Sequence, residues 1–138
     1  NNTPLIGIPT LDVVAASIGP EEVALCAVLQ AGRKRICVGR YGWRDGEWRA
    51  NGDPTNTTWD SLLDDLTETA LFAGEIDPYG ARLLRRRRSR ALLLSPAAGL
   101  RRAGFLAELG WDRFKRNRLD DPAALAPIYL GMSGSSAL

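Results

Sequence analysis

From Glu22 to Leu109 the chain alternates short apolar runs with amphipathic stretches, and no other feature limits its possible folds as sharply. Glu22-Val-Ala-Leu-Cys-Ala-Val-Leu29 is almost continuously apolar, the pattern of a central strand covered on both faces. Ala31-Gly32 supplies a tight turn, and Arg35-Ile-Cys-Val-Gly-Arg-Tyr41 reads as the returning strand. Arg44-Asp-Gly-Glu47 is a second turn signal, followed by a short strand around Trp48. Residues 51–56, with Gly52, Asp53 and Pro54, read as a loop. Thr57 then precedes an amphipathic helix that places Trp59, Leu62, Leu63, Leu66 and Ala70 on one face, with Asp60 three residues on as a weak capping-box variant.

Leu71 to Ile76 reads as a fourth strand, and Asp77-Pro78 has the N-cap and first-turn chemistry of a helix running to about Arg87. Ala91-Leu-Leu-Leu94 is a short buried strand, and Ser95-Pro96 opens a final helix containing Leu100, Ala103, Leu106 and Leu109. The resulting order is strand-strand-strand-helix-strand-helix-strand-helix. Alternation in the second half implies parallel strands joined to the initial antiparallel meander. The fold class is therefore α/β, a mixed sheet with a three-stranded meander followed by parallel βαβα units. This is the order of the ribonuclease-H-like fold, from which each lobe of the actin-like ATPases is built. Ahead of it, Leu5-Ile-Gly-Ile8 reads as a buried strand, and Leu11 to Ile18 as a helix capped by Thr10. Residues 1–19 are expected to be the end strand and helix of an earlier lobe, residues 20–130 the lobe itself, and residues 131–138 a flexible tail.

Composition excludes much chemistry. The chain has no histidine, which removes Ser-His-Asp and Cys-His catalysis and every His-containing zinc site. Cys26 and Cys37 cannot make a four-ligand site; they are either two reduced, half-buried thiols or a disulfide across a hairpin. A metal-dependent nuclease of this fold needs an acid on its first central strand, and Val23–Leu29 has none. Glu75 and Asp77 lack a partner there, and Asp60, Asp64, Asp65 and Glu68 read as a wet helix face. Gly32, Gly39, Gly42 and Gly46 are explained by hairpin turns and strand packing rather than by a phosphate loop. No apolar run reaches the ~18 residues that a membrane helix needs, so a cytoplasmic location and no membrane contact are expected. No catalytic, cofactor-binding or metal-binding residue is assigned.

Charge is unevenly spread. Residues 1–77 carry 6 basic and 12 acidic side chains, net −6, whereas residues 78–138 carry 12 basic and 4 acidic, net +8. The densest basic group is Arg82, Arg85, Arg86, Arg87, Arg88 and Arg90, a candidate contact for RNA phosphates or an acidic partner. The same residues also suit a solvated helix end, where cations favour the C-terminal dipole, and the run holds no aromatic group for base stacking. Trp43, Trp48, Trp59 and Trp111 read as core or half-buried fillers, or as part of an exposed partner patch.

Three segments carry a family resemblance. Pro4-Leu-Ile-Gly-Ile-Pro-Thr-Leu-Asp-Val-Val-Ala-Ala16 is similar to the lobe-junction pattern Pro-hydrophobic-hydrophobic-Gly-Val-Ser-Ser/Thr-Leu-Glu-Ala-hydrophobic-Ala. Gln30-Ala-Gly-Arg33, followed by Ile36, occupies the place of an Asp-Ala-Arg-rich hairpin turn. Asp120-Asp-Pro-Ala-Ala-Leu-Ala-Pro-Ile-Tyr-Leu130 resembles an ending Asp-Asp-x-x-x-Leu-x-Pro-x-Tyr-Leu-Arg. In that order and spacing, Pro4 to Leu130 resembles the second half of the TsaB (YeaZ) family of two-lobed, actin-like proteins. There are three departures: Gln30 replaces the turn aspartate, Gly131 replaces the terminal arginine, and the first lobe with its Gly-rich segment is not in the sequence.

The resemblance implies a noncatalytic accessory role in threonylcarbamoyladenosine modification of tRNA. The implied partners are a TsaD-like catalytic paralogue and a TsaE-like ATPase, with tRNA contact and homo-oligomer formation as further possibilities. It also implies that Asp120–Leu130 pins the last segment against the sheet. With no first lobe to cover them, Val13, Val14, Ile18, Trp111 and Phe114 are expected to be exposed. A basic nucleic-acid-binding module built on Arg82–Arg90 is the alternative function, and a self-associating interaction domain a third.

Overall fold

A computed structural model describes residues 3–128. Its centre is a six-stranded mixed sheet made of β1 (Ala24–Gln30), β2 (Ile36–Arg44), β3 (Glu47–Ala50), β4 (Thr55–Thr57), β5 (Ala70–Gly74) and β6 (Ala91–Leu93). The strand order is β3-β2-β1-β5-β6, with β4 also paired to β2. The β1–β2 and β2–β3 pairs are antiparallel, and β1–β5 and β5–β6 are parallel. A meander followed by parallel βαβα units is thus the observed architecture. The β2–β3 hairpin turns through Asp45 (φ 53) and Gly46 (φ 81), the paired left-handed conformation that Asp-Gly sequences tolerate best.

Four helices flank the sheet: α1 (Thr10–Ala16), α2 (Trp59–Asp64), α3 (Pro78–Arg86) and α4 (Ala103–Lys115). Strand side chains alternate between faces, so each face has its own core. On one face Cys26, Val28, Ile36, Val38, Ala70, Phe72 and Ala91 pack with Trp59, Leu62 and Leu63 of α2 and Leu84 of α3. On the other, Leu25, Ala27, Cys37, Tyr41, Leu71 and Ala73 pack with Leu11, Val14, Ala15 and Ile18 from α1 and its end. Burying one of these aliphatic side chains contributes about 1.5–3 kcal/mol, and the two layers together make β1 the most enclosed strand.

Several expectations change. Residues 5–8 are not a buried strand. They lie between Pro4 and Pro9, make one antiparallel bridge from Leu5 to Asp120, and leave Leu5 43% exposed. Helix α1 ends at Ala16 and starts with Thr10 inside it; Pro9 holds the cap position without a side-chain bond. Part of the expected 51–56 loop is strand β4, which pairs Thr55–Thr57 with Val38, Cys37 and Ile36. Strand β2 is nine residues long, so its outer edge takes β3 at one end and β4 at the other.

Helix α2 stops at Asp64, and Ala70 opens β5 instead of extending the helix face. Its cap is Thr58, whose hydroxyl accepts from Ser61 N–H, not Thr57, which belongs to β4. The expected final helix is divided. Pro96–Gly99 form a 3-10 turn, Leu100 is extended and 57% exposed, and α4 begins only at Ala103. Cys26 pairs in register with Arg40, and Cys37 with Leu29, so the two thiols occupy opposite faces and are free.

Val13, Val14 and Ile18 are buried, contrary to expectation, because α1 lies directly on the sheet. Trp111 and Phe114 are exposed, stacked on each other with ring centroids 5.5 Å apart. Tyr129, Leu130 and the tail 131–138 lie outside the described residues.

Candidate functional site

Three regions collect the polar and unpartnered groups. The first is the end of α3 and the turn into β6. Asp77 caps α3, accepting from Gly80 N–H at 2.7 Å, and Pro78 fixes the first turn. The helix therefore presents Arg82, Arg85 and Arg86 outward, and Arg87, Arg88 and Arg90 follow in the turn, all six exposed. Arg87 is set apart from the others. Its guanidinium donates to the Leu63 carbonyl at the end of α2 and to Asp64 Oδ1 at 2.9 Å, so it ties two helix ends together. Arg82 lies over the Tyr79 ring, 5.8 Å from its centroid. Tyr79 in turn donates to Asp60 Oδ2 at 2.9 Å, a bond that pushes its hydroxyl above the usual phenol range.

Among the described residues no ion pair engages Arg85, Arg86, Arg88 or Arg90. Arg85 and Arg88 line an open groove of about 580 Å³ beside β6, whose other walls include Ile76, Ala81, Leu92 and Pro96. The sequence singled out the run but not the division of labour within it. That division depends on where α2 ends.

The second region is the carboxyl end of the parallel strands, where open α/β sheets bind ligands. Here it is closed by the chain itself. Glu75 Oε2 accepts from Gln30 N–H at 2.9 Å, Gln30 Nε2 donates to the Glu75 carbonyl at 2.9 Å, and Arg101 pairs with Glu75 Oε1 at 2.8 Å. Gln30, which stands in place of the turn aspartate, and Glu75, which looked partnerless, are thus mutually satisfied. Among the described residues, no three His, Cys, Asp or Glu side chains gather as a metal would need. Burial, opposed only partly by Arg40, pushes the Cys26 thiol up to about 11, and burial also raises Cys37. Neither thiol is a nucleophile near neutrality.

The third region joins the two ends of the described chain. Asp12 on α1 accepts the Tyr41 hydroxyl at 2.8 Å and lies 3.8 Å from Arg113 of α4. Burial first, then this bond, drives the Tyr41 phenol far above its ordinary range. Arg113 also donates to the Gly7 carbonyl at 2.7 Å, and Gly7 N–H donates to Asp120 Oδ2 at 2.7 Å. A Cβ at Gly7 would sit 2.7 Å from Leu125 Cδ1, the end of an exposed side chain that can swing aside, so the approach is close without demanding glycine. Asp120 therefore pins residues 5–7, not the sheet. Helix α4 lies against α1 with Phe105, Leu109 and Arg113 half-buried, while Leu106 and the stacked Trp111–Phe114 pair are exposed on it. Among the described residues, no helix is long and apolar enough to cross a membrane.

No protein-family model matches the chain, and no curated protein matches it. Solved structures do. An uncharacterized protein with similarity to peptidase YeaZ from Pseudomonas aeruginosa superposes with a TM-score of 0.68 at 20% identity, covering 92% of this chain and 59% of that one. YeaZ from Pseudomonas aeruginosa superposes with a TM-score of 0.66 at 19% identity, covering 91% of this chain and 60% of that one. At such identity the likeness is one of fold: nearly the whole chain has the architecture of part of a YeaZ-like body, and it spans about 60% of the length of the structures it matches.

Proposed function

We propose that this chain is the second lobe of a TsaB-like protein, with residues 1–19 as the junction to a first lobe. Its full-length form then acts as a noncatalytic accessory subunit in threonylcarbamoyladenosine modification of tRNA, in the cytoplasm. The observation that carries this reading is the fold likeness to YeaZ over 91% of the chain, obtained against 60% of the matched body. The exposed, stacked Trp111–Phe114 pair on the outer side of α4 supports it, as an apolar patch fit for another element.

The chemistry agrees with an accessory role. A chain with no histidine, with both thiols raised by burial, and with its strand ends closed by Gln30, Glu75 and Arg101 offers positioning rather than catalysis. The TsaD-like paralogue and the TsaE-like ATPase enter as proposed partners of the full-length form. The test is a chimaera joining the first lobe of Pseudomonas YeaZ to this chain, expressed in cells depleted of YeaZ. Nucleoside mass spectrometry of bulk tRNA should then show threonylcarbamoyladenosine restored. A folded, well-expressed chimaera that leaves the modification absent would overturn the accessory reading.

A further inference from the structure

The β6 edge of the sheet is open, and the groove beside it has a definite chemistry. Among the described residues β6 has one partner strand, β5. Ala70 N–H donates to the Arg90 carbonyl at 2.9 Å, and Leu94 N–H donates to the Phe72 carbonyl at 3.0 Å. Residues bonded to a given neighbour alternate along a parallel strand, so 90, 92 and 94 face β5 while 91 and 93 face away from it. Ala91 N–H is taken by the Arg87 carbonyl at 2.9 Å. The Ala91 carbonyl and both main-chain groups of Leu93 therefore point to the unpaired side, enough to hold an incoming strand in register through three hydrogen bonds.

The side chains at this edge differ in kind. Leu92 pairs in register with Leu71 on the α1 side of the sheet, yet it is 41% exposed because α1 covers only the middle of that face. Among the described residues, Arg85 and Arg88 line the groove and no acidic side chain does. Free main-chain groups, an uncovered leucine and unpaired guanidinium groups thus converge on one occupant.

We propose that β6 and its groove form a docking edge for an extended acidic peptide, added as a strand, with carboxylates and apolar residues alternating along it. Main-chain bonds to Ala91 and Leu93 give the register. Apolar residues lie over Leu92, and the carboxylates meet Arg85 and Arg88. Short edge strands flanked by charge also serve to deter aggregation. A groove of about 580 Å³ with an exposed apolar floor is more than that purpose requires. RNA is the less suitable occupant, because the groove offers no aromatic platform and the free groups are those of a strand edge.

The test titrates the full chain with fluorescein-labelled (Glu-Val)4, (Lys-Val)4, (Glu-Val)4 N-methylated at alternate residues, and a 12-nucleotide oligouridine. The acidic peptide should bind at least about tenfold tighter than the basic one, given the steering and pairing expected of like-signed guanidinium groups. Arg85→Glu with Arg88→Glu should remove that preference, and these exposed, unpaired side chains can be changed without disturbing the core, as a circular-dichroism melt will show. N-methylation should abolish binding while leaving the charge unchanged, and the Leu93 amide should gain protection from exchange with the unmodified peptide. Equal binding of the N-methylated peptide overturns strand addition. Tighter binding of oligouridine at the same arginines assigns the surface to nucleic acid instead and overturns the proposal.

Discussion

Gly80→Ala isolates the contact that locks α2 to α3. Gly80 is the third residue of α3 with ordinary helical backbone, so its lack of a side chain has no conformational reason. The reason is Trp59: a Cβ at Gly80 would lie 2.5 Å from Trp59 Cζ2 and 2.6 Å from Nε1. Carbon atoms pack at about 3.5–4.0 Å, so the indole must move by roughly 1 Å. It has little room, being 2% exposed and wedged among Leu62, Leu63 and Leu84.

Overpacking of this kind costs about 1–3 kcal/mol, whereas the helix preference of alanine over glycine returns about 1 kcal/mol. The net expectation is a loss of about 0–2 kcal/mol, which lowers Tm by up to roughly 10 °C for a domain of this size. Urea and thermal melts followed at 222 nm measure it without relying on tryptophan emission. In a Trp59→Leu background the ring is gone, and the same Gly80→Ala change should become neutral or stabilising by up to about 1 kcal/mol. A Gly80→Ala protein more stable than the parent by the full helix preference of about 1 kcal/mol, or a loss that persists after Trp59→Leu, refutes the steric account.

Three other outcomes follow from the same contacts. Thr58→Ala should cost about 1 kcal/mol as loss of the α2 cap, while Thr57→Ala should stay within about 0.5 kcal/mol; equal costs in urea melts would return the cap to Thr57. Cys26 ionises at about 11 when folded against 9.0 otherwise, so the protonated thiol's contribution is complete below pH 9 and fades as pH climbs through 11. The parent should lose about 2 kcal/mol more than Cys26→Ala between those limits, and parallel pH profiles would contradict it. Asp12→Ala leaves the Tyr41 hydroxyl and Arg113 without their shared acceptor, at about 1–3 kcal/mol, and hydrogen exchange in α4 should accelerate before exchange in β1 does.

The strands that periodicity found are those fixed by local pattern. The continuous apolar run of β1 and the Asp-Gly turn of the β2–β3 hairpin need no tertiary information. What escaped the sequence was decided by neighbours. β4 is the polar triplet Thr-Asn-Thr, with no strand signal of its own, and it pairs because β2 is long enough to have spare edge. Arg87 is indistinguishable from Arg86 or Arg88 in the run, and only the approach of α2 gives it Leu63 and Asp64. The amphipathic spacing of Leu106 and Leu109 correctly marks a helix, but spacing cannot report that Leu109 is only half-buried, on a helix that contacts α1, while Leu106 stays exposed. The two cysteines sit on adjacent strands as expected, yet register decides their faces, and that register is set by the loop of residues 31–35 between the strands.

Two of the three segments that resemble the TsaB family, the opening and the closing one, turn out to be joined to one another. Asp12, from the opening motif, accepts the Tyr41 hydroxyl, while Gly7 of the same motif receives Asp120 and Leu125 from the closing one. Two stretches more than a hundred residues apart in sequence are thus two sides of one contact. The link consists of the hydrogen bond from Gly7 N–H to Asp120 and the close approach of Leu125 to Gly7. A likeness built on such residues reports how the chain ends are tied beside α4, which is a property of fold. Among the described residues, the surfaces that these contacts leave free are the side of α4 that carries Trp111 and Phe114 and the basic edge of β6.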